Sequence, residues 1–147
     1  MADSCTRLED TLAIAALYRC LVRLAVRRPE LNRRLTGASR ALVSENVWRA
    51  QRDGVHASFL DEERGTVVPF ATYLDAILLD VAEDSDALGC RPEIERARGI
   101  AREGTSADHQ LAVFASARKE TADTNGALAA VVDWIAGTTT TASTAPS

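Results

Sequence analysis

Between Leu8 and Leu24, apolar side chains recur at intervals of three and four: Leu8, Leu12, Ala15, Ala16, Cys20 and Leu24, widened by Leu17 and Leu21. That period puts them on one broad stripe of an α-helix, and so broad a stripe demands more than one packing neighbour. Thr6 followed by Glu9 has the spacing of a capping box, and Asp10 adds a second acid to the first turn. Arg27, Arg28 and Pro29 supply the end. A chain that opens on such a helix has to bury it among other helices.

The remaining segments repeat this grammar. Pro29 can start a short second helix through Leu31 and Leu35, closed by Gly37. A third helix is expected from Ser39 to Asp53 with Gly54 as its stop, and Trp48 is expected to anchor it in the core. His56 to Leu60 and Thr66 to Val68 are short β-prone runs around Asp61-Glu62-Glu63-Arg64-Gly65, so a hairpin is expected at about 56–68. Helical pattern resumes from Ala71 to Asp84, carried by Leu74, Ile77, Leu78 and Val81. Pro92 opens another helix that runs to Gly104, and Thr105 or Ser106 caps the next. Asn125 or Gly126 begins a last helix that Gly137 should stop. The tail 138–147 has no large apolar residue and is expected to be disordered. The fold class is therefore mainly α, a helical assembly over residues 1–137 with one short β-hairpin.

Composition limits what such an assembly can do. At 147 residues and 46% apolar, the chain is long enough to bury one core without disulfides. Cys5, Cys20 and Cys90 lack C-x-x-C spacing, which supports neither a disulfide framework nor zinc, and Cys20 reads as a core residue. No apolar run reaches membrane-spanning length, and Glu9 and Asp10 interrupt any leader, so no membrane partner and a cytoplasmic location are expected. Net charge is −4, but residues 1–54 carry ten Arg against six acids. The cluster Arg23, Arg27, Arg28, Arg33 and Arg34 reads first as a solvated helix end and second as an anion site. With an acidic pI and no aromatic residues among these arginines, no nucleic acid is expected.

Motifs for catalysis are scarce. There is no phosphate-binding glycine loop, no nucleophile elbow and no H-E-x-x-H. His56 and His109 read as surface histidines. Asp61, Glu62 and Glu63, then Glu83, Asp84 and Asp86, read as solvated runs, so no metal site is expected. One polar set is distinctive: Glu45, Asn46, Arg49 and Arg52 lie within two turns of the third helix. An i, i+4 bridge from Glu45 to Arg49 is the simplest account, while Asn46 beside Arg49 could instead hold a phosphate or carboxylate.

These residues also carry a resemblance. Ser44-Glu45-Asn46-Val47-Trp48-Arg49-Ala50-Gln51-Arg52-Asp53-Gly54 resembles the E-N-x-W/F-x-A-x-R-Y-G segment of the carboxylate–amine ligases, the second glutamate–cysteine ligase family. A hairpin, then Ala87-Leu88-Gly89-Cys90, then Gly104-Thr105-Ser106-Ala107-Asp108-His109-Gln110 follow in that family's order. The opening, Asp3 to Thr11, looks like the segment after its last catalytic strand, and the likeness extends to Ala136. The sequence departs from the pattern at Asp53, where the family has tyrosine, and at His109 and Leu111, where it has arginines.

The resemblance implies the C-terminal part of a glutamine-synthetase-like, ATP-dependent ligase. Such an enzyme activates the glutamate γ-carboxylate as an acyl phosphate for attack by an amine, with ATP and magnesium as cofactors of the intact enzyme. Neither is expected to bind this chain alone. The resemblance assigns no catalytic residue or metal ligand here, and carries over Asn46, Arg49 and Arg52 as substrate or phosphate contacts. The expected partners are a missing catalytic half, a second copy of the chain, and glutamate with its amine. A non-catalytic interaction module is the alternative.

Overall fold

The computed structural model describes residues 5–32, 36–120 and 123–141. It is a helical assembly with one antiparallel hairpin. Helix α1 spans Leu8–Arg27 and packs mainly on α5, Arg91–Glu103. Ala16, Cys20 and Leu24 of α1 meet Cys90, Ile94 and the buried Leu74, Leu78 and Val81 in one cluster. The core thus sits between the first helix and elements some 50 to 70 residues later.

The start of α1 differs from expectation. Arg7 is the N-cap, without a side-chain cap, and Thr6 Oγ1 lies 3.1 Å from Ser106 Oγ instead of closing a box with Glu9. The true capping box is at α2, Gly37–Asp53: Thr36 Oγ1 accepts from the Ser39 N–H, while Ser39 Oγ accepts from the Thr36 N–H, both at 3.1 Å. Gly37 therefore opens a helix rather than closing one. Of the expected second helix, Pro29–Asn32 is a single 3₁₀ turn, and 33–35 lie outside the described residues. Gly54 stops α2 as expected, at φ 55, a value that suits a residue without Cβ. Trp48 does not anchor the core. It is 50% exposed because the face it occupies meets solvent, and Arg52 one turn later lies over its ring at 4.3 Å.

Strands β1, Ser58–Asp61, and β2, Thr66–Pro69, pair in the register Ser58 with Pro69 through Asp61 with Thr66. Ala57 and Val68 are buried, and Phe59 meets Phe70 and Tyr73 edge-on, which seats the hairpin on the helix that follows it. The expected helix from Ala71 to Asp84 is broken in two, α3 at Phe70–Asp80 and α4 at Ala82–Leu88. The break falls at fully buried Val81, with φ −92 and ψ 5, and it also turns Asp84 inward. Gly89 ends α4 in the left-handed region at φ 63.

Helices α6, Ser106–Glu120, and α7, Thr124–Thr141, pack chiefly on each other. Thr105 caps α6 reciprocally with Asp108, as its sequence suggests. Asp123 accepts from the N–H groups of Asn125 and Gly126 at the start of α7. Gly137 does not stop α7. The hydroxyls of Thr138, Thr139 and Thr140 donate to the carbonyls of Trp134, Ile135 and Ala136, so the helix runs on to Thr141. The rest of the expected tail, 142–147, lies outside the described residues.

Candidate functional site

The polar face of α2 meets the outer edge of β1. In an antiparallel hairpin, alternate residues turn their N–H and C=O away from the partner strand, and an edge leaves them open. Leu60 is such a residue, and Asn46 closes it from both sides. Asn46 Nδ2 donates to the Leu60 carbonyl at 2.9 Å, and the Leu60 N–H donates to Asn46 Oδ1 at 2.8 Å. One turn further along α2, Arg49 Nη1 donates to the Ser58 carbonyl at 3.2 Å, two residues back on the same edge. Arg49 Nε donates to Glu45 Oε1 at 2.9 Å, so the expected i, i+4 bridge is present. At the other end Ser39 Oγ donates to Glu62 Oε1 at 2.8 Å and fastens the hairpin turn.

Asn46 and Arg49 therefore stand where a third strand would pair. Arg52 stands apart. Its guanidinium covers Trp48, donates to both oxygens of Asp53 at 2.9 and 2.7 Å, and is more than half exposed. Asp53 is held below the usual carboxylate range, chiefly by the hydrogen bond from Arg52. The structure thus brings Glu45, Asn46 and Arg49 together on the hairpin and leaves Arg52 at the solvent side of the same helix.

Two charge clusters escaped the sequence reading. Asp84 is fully buried, not solvated, and receives Arg23 as well as Arg27, the latter at 2.9 Å. The arginine cluster is correspondingly not a free helix end: Arg23 and Arg27 reach Asp84, and Arg28 reaches Glu30 and Asp80. Arg33 and Arg34 lie outside the described residues. The hydrogen bond from Arg27 depresses the Asp84 pKa most, with Arg23 adding to it against the opposing effect of burial. Asp10, also buried, accepts from Arg96 Nε at 2.6 Å, and Arg96 Nη1 donates to Glu103 at 2.8 Å. Both acids continue helical apolar stripes, Asp10 three residues before Ala13 and Asp84 three after Val81, which is the signal that could have found them.

Cys20 is buried as expected, and its Sγ lies 3.6 Å from that of Cys90. Burial, then the hydrogen bond with Cys90, pushes the Cys20 thiol up to about 11. His56 is exposed beside Asp108, whereas His109 is half-buried and tilted against the Trp134 ring at 6.0 Å.

The described carboxylates do not fit a magnesium site. Asp10 and Asp84 face arginines, Asp61 accepts from the Arg64 N–H, and Glu62 accepts from Ser39. Among the described residues no group of three or more His, Cys, Asp or Glu is arranged to hold a metal ion, and no helix is long and apolar enough to cross a membrane.

Comparison with known proteins gives a consistent assignment. The model of glutamate–cysteine ligase family 2 matches residues 1–133. A Rhodospirillum rubrum protein carrying the name "putative glutamate–cysteine ligase 2" is 47% identical over 133 residues, covering 90% of this chain and 34% of its own length. A Bradyrhizobium diazoefficiens protein of the same name is 39% identical over 137 residues, 93% of this chain and 30% of its own. The chain spans about a third of the length of the curated relatives it matches. No solved structure matches it.

Proposed function

The chain belongs to glutamate–cysteine ligase family 2, and we propose that it serves as the helical portion of an ATP-dependent carboxylate–amine ligase. In the complete assembly, the glutamate γ-carboxylate is activated as an acyl phosphate and an amine such as that of cysteine displaces the phosphate. One observation carries this reading: close similarity across nearly the whole chain, confined to about a third of each relative's length. ATP and magnesium are then gripped by the other two-thirds.

Within this portion Asn46 and Arg49 act as positioning residues, since their donors hold the β1 edge at a fixed distance from α2. Of the two guanidinium groups, that of Arg52 is the more exposed and meets an anionic group of glutamate or phosphate by exchanging its bond to Asp53. Its stacking on Trp48 keeps it extended along the helix surface.

The test is glutamate- and cysteine-dependent ADP release. The pure chain is expected to give none. A full-length chimera, with this chain replacing the matching 133 residues of the Rhodospirillum rubrum relative, is expected to turn over. Turnover by the chain alone overturns the reading, and so does a folded chimera that is inactive beside an active parent.

A further inference from the structure

Helix α1 carries two apolar stripes, about a third of a turn apart. One is the core stripe of Ala13, Ala16, Cys20 and Leu24. The other comprises Leu8, Leu12, Ala15, Val22 and Val26, with Arg19 in the gap and Tyr18 at its flank. The spacing 8, 12, 15, 19, 22, 26 alternates steps of four and three, which keeps one straight seam along all five turns of the helix. This seam faces solvent: Val22 is 64% and Val26 78% exposed, and Leu8, Leu12 and Tyr18 are at least half exposed. A second apolar stripe beside the core stripe is the pattern of a helix covered on more than its core side. Beside it, Tyr18, Arg19, Val22, Arg23 and Leu88 line an open groove of about 440 Å³.

We propose that this outer seam of α1 is the docking surface for the ligase portion that family-length relatives carry beyond the matched third. The proposal rests on the reading of the chain as a ligase portion. Length supplies the occupant, because about two-thirds of each relative's sequence has no counterpart among these residues. Charge supplies its chemistry. Arg19 interrupts the seam at its middle and makes no hydrogen bond or ion pair among the described residues, whereas Arg23 and Arg27 are both engaged by Asp84. The opposing surface is therefore apolar with a carboxylate facing Arg19, since an arginine enclosed by a docking partner needs an acceptor.

The experiment compares Val22→Asp and Val26→Asp in two settings by thermal melting. In the isolated chain both sites are exposed, and each substitution is expected to shift the melting temperature by less than about 2 °C. In the full-length chimera each is expected to lower it by at least about 5 °C, and Glu63→Lys on the hairpin turn is expected to change neither. Equal, small shifts in both settings overturn the proposal, because the seam would then remain uncovered. A chimera that fails to fold overturns it too, as does light scattering in which the isolated chain dimerises and Val22→Asp abolishes the dimer. Melting and ADP release are separate readouts, so a folded but inactive chimera sinks the functional reading while leaving the docking surface standing.

Discussion

The side-chain amide of Asn46 and the backbone of Leu60 close a two-bond ring, with the strand N–H and carbonyl each met by the complementary atom of one residue. An asparagine thereby does for a sheet edge what a neighbouring strand would do. Its loss leaves a half-buried donor and acceptor without partners. Asn46→Ala is expected to cost about 1–3 kcal/mol in chemical denaturation. Amide hydrogen exchange at Leu60 should accelerate more than at Leu78, and an unchanged Leu60 rate would refute the role.

Asp84 gives the fold an acid limit. Its folded pKa lies below the ordinary value, so between the two pKa values the unfolded chain binds the proton more tightly. The stabilisation is complete above the unfolded carboxylate pKa of about 3.9 and is lost as pH falls through the lower, folded value. Melting temperature should be insensitive to this group from pH 5 to 7 and drop below about pH 4. Asp84→Asn should lower the melting temperature at pH 7 and flatten part of the acid limb. Asp53, Asp108 and Glu103, whose pKa values are also depressed, contribute to the remainder.

The three thiols should not react alike. Cys20 and Cys90 are buried, and Cys20 ionises only near 11, whereas Cys5 is partly accessible. A thiolate is the reacting species, so a disulfide reagent at pH 8 is expected to modify one thiol per native chain quickly. The other two should follow at the rate of unfolding. Fast modification of all three would mean that the α1–α5 interface is open.

Neighbours in sequence can test the seating of α3. Leu78 is buried in the core cluster and Leu79 is 75% exposed. Leu78→Ala is expected to destabilise by about 2–5 kcal/mol and Leu79→Ala in the isolated chain by less than about 0.5 kcal/mol. A reversal would rotate the helix.

The elements that the sequence reveals are those whose causes are local. Alternating three and four spacing, Pro92 near a helix start, Gly54 at a helix end and the glycine-closed acidic turn each act within a few residues. What the sequence conceals depends on distant partners. Asp84 reads as solvated because the arginines that neutralise it come from α1, nearly 60 residues earlier. Trp48 reads as core because size suggests burial, yet half of it meets solvent and Arg52 lies over its ring. Thr138 to Thr140 read as loop from composition, while their hydroxyls bond back into the helix they extend. At the candidate site, the grouping of Glu45, Asn46 and Arg49 follows from spacing alone. Their attachment to the outer edge of β1 does not, because nothing in the α2 sequence says which way the hairpin folds back.

The packing of α1 on α5 also sets a timetable for synthesis. Residues up to Arg27 leave the ribosome before the helix that shelters them, which begins at Arg91. Translation at about 5–20 residues per second leaves several seconds during which the core stripe of the first helix is uncovered. Until the fifth helix emerges, the core stripe of α1 lacks its main packing partner.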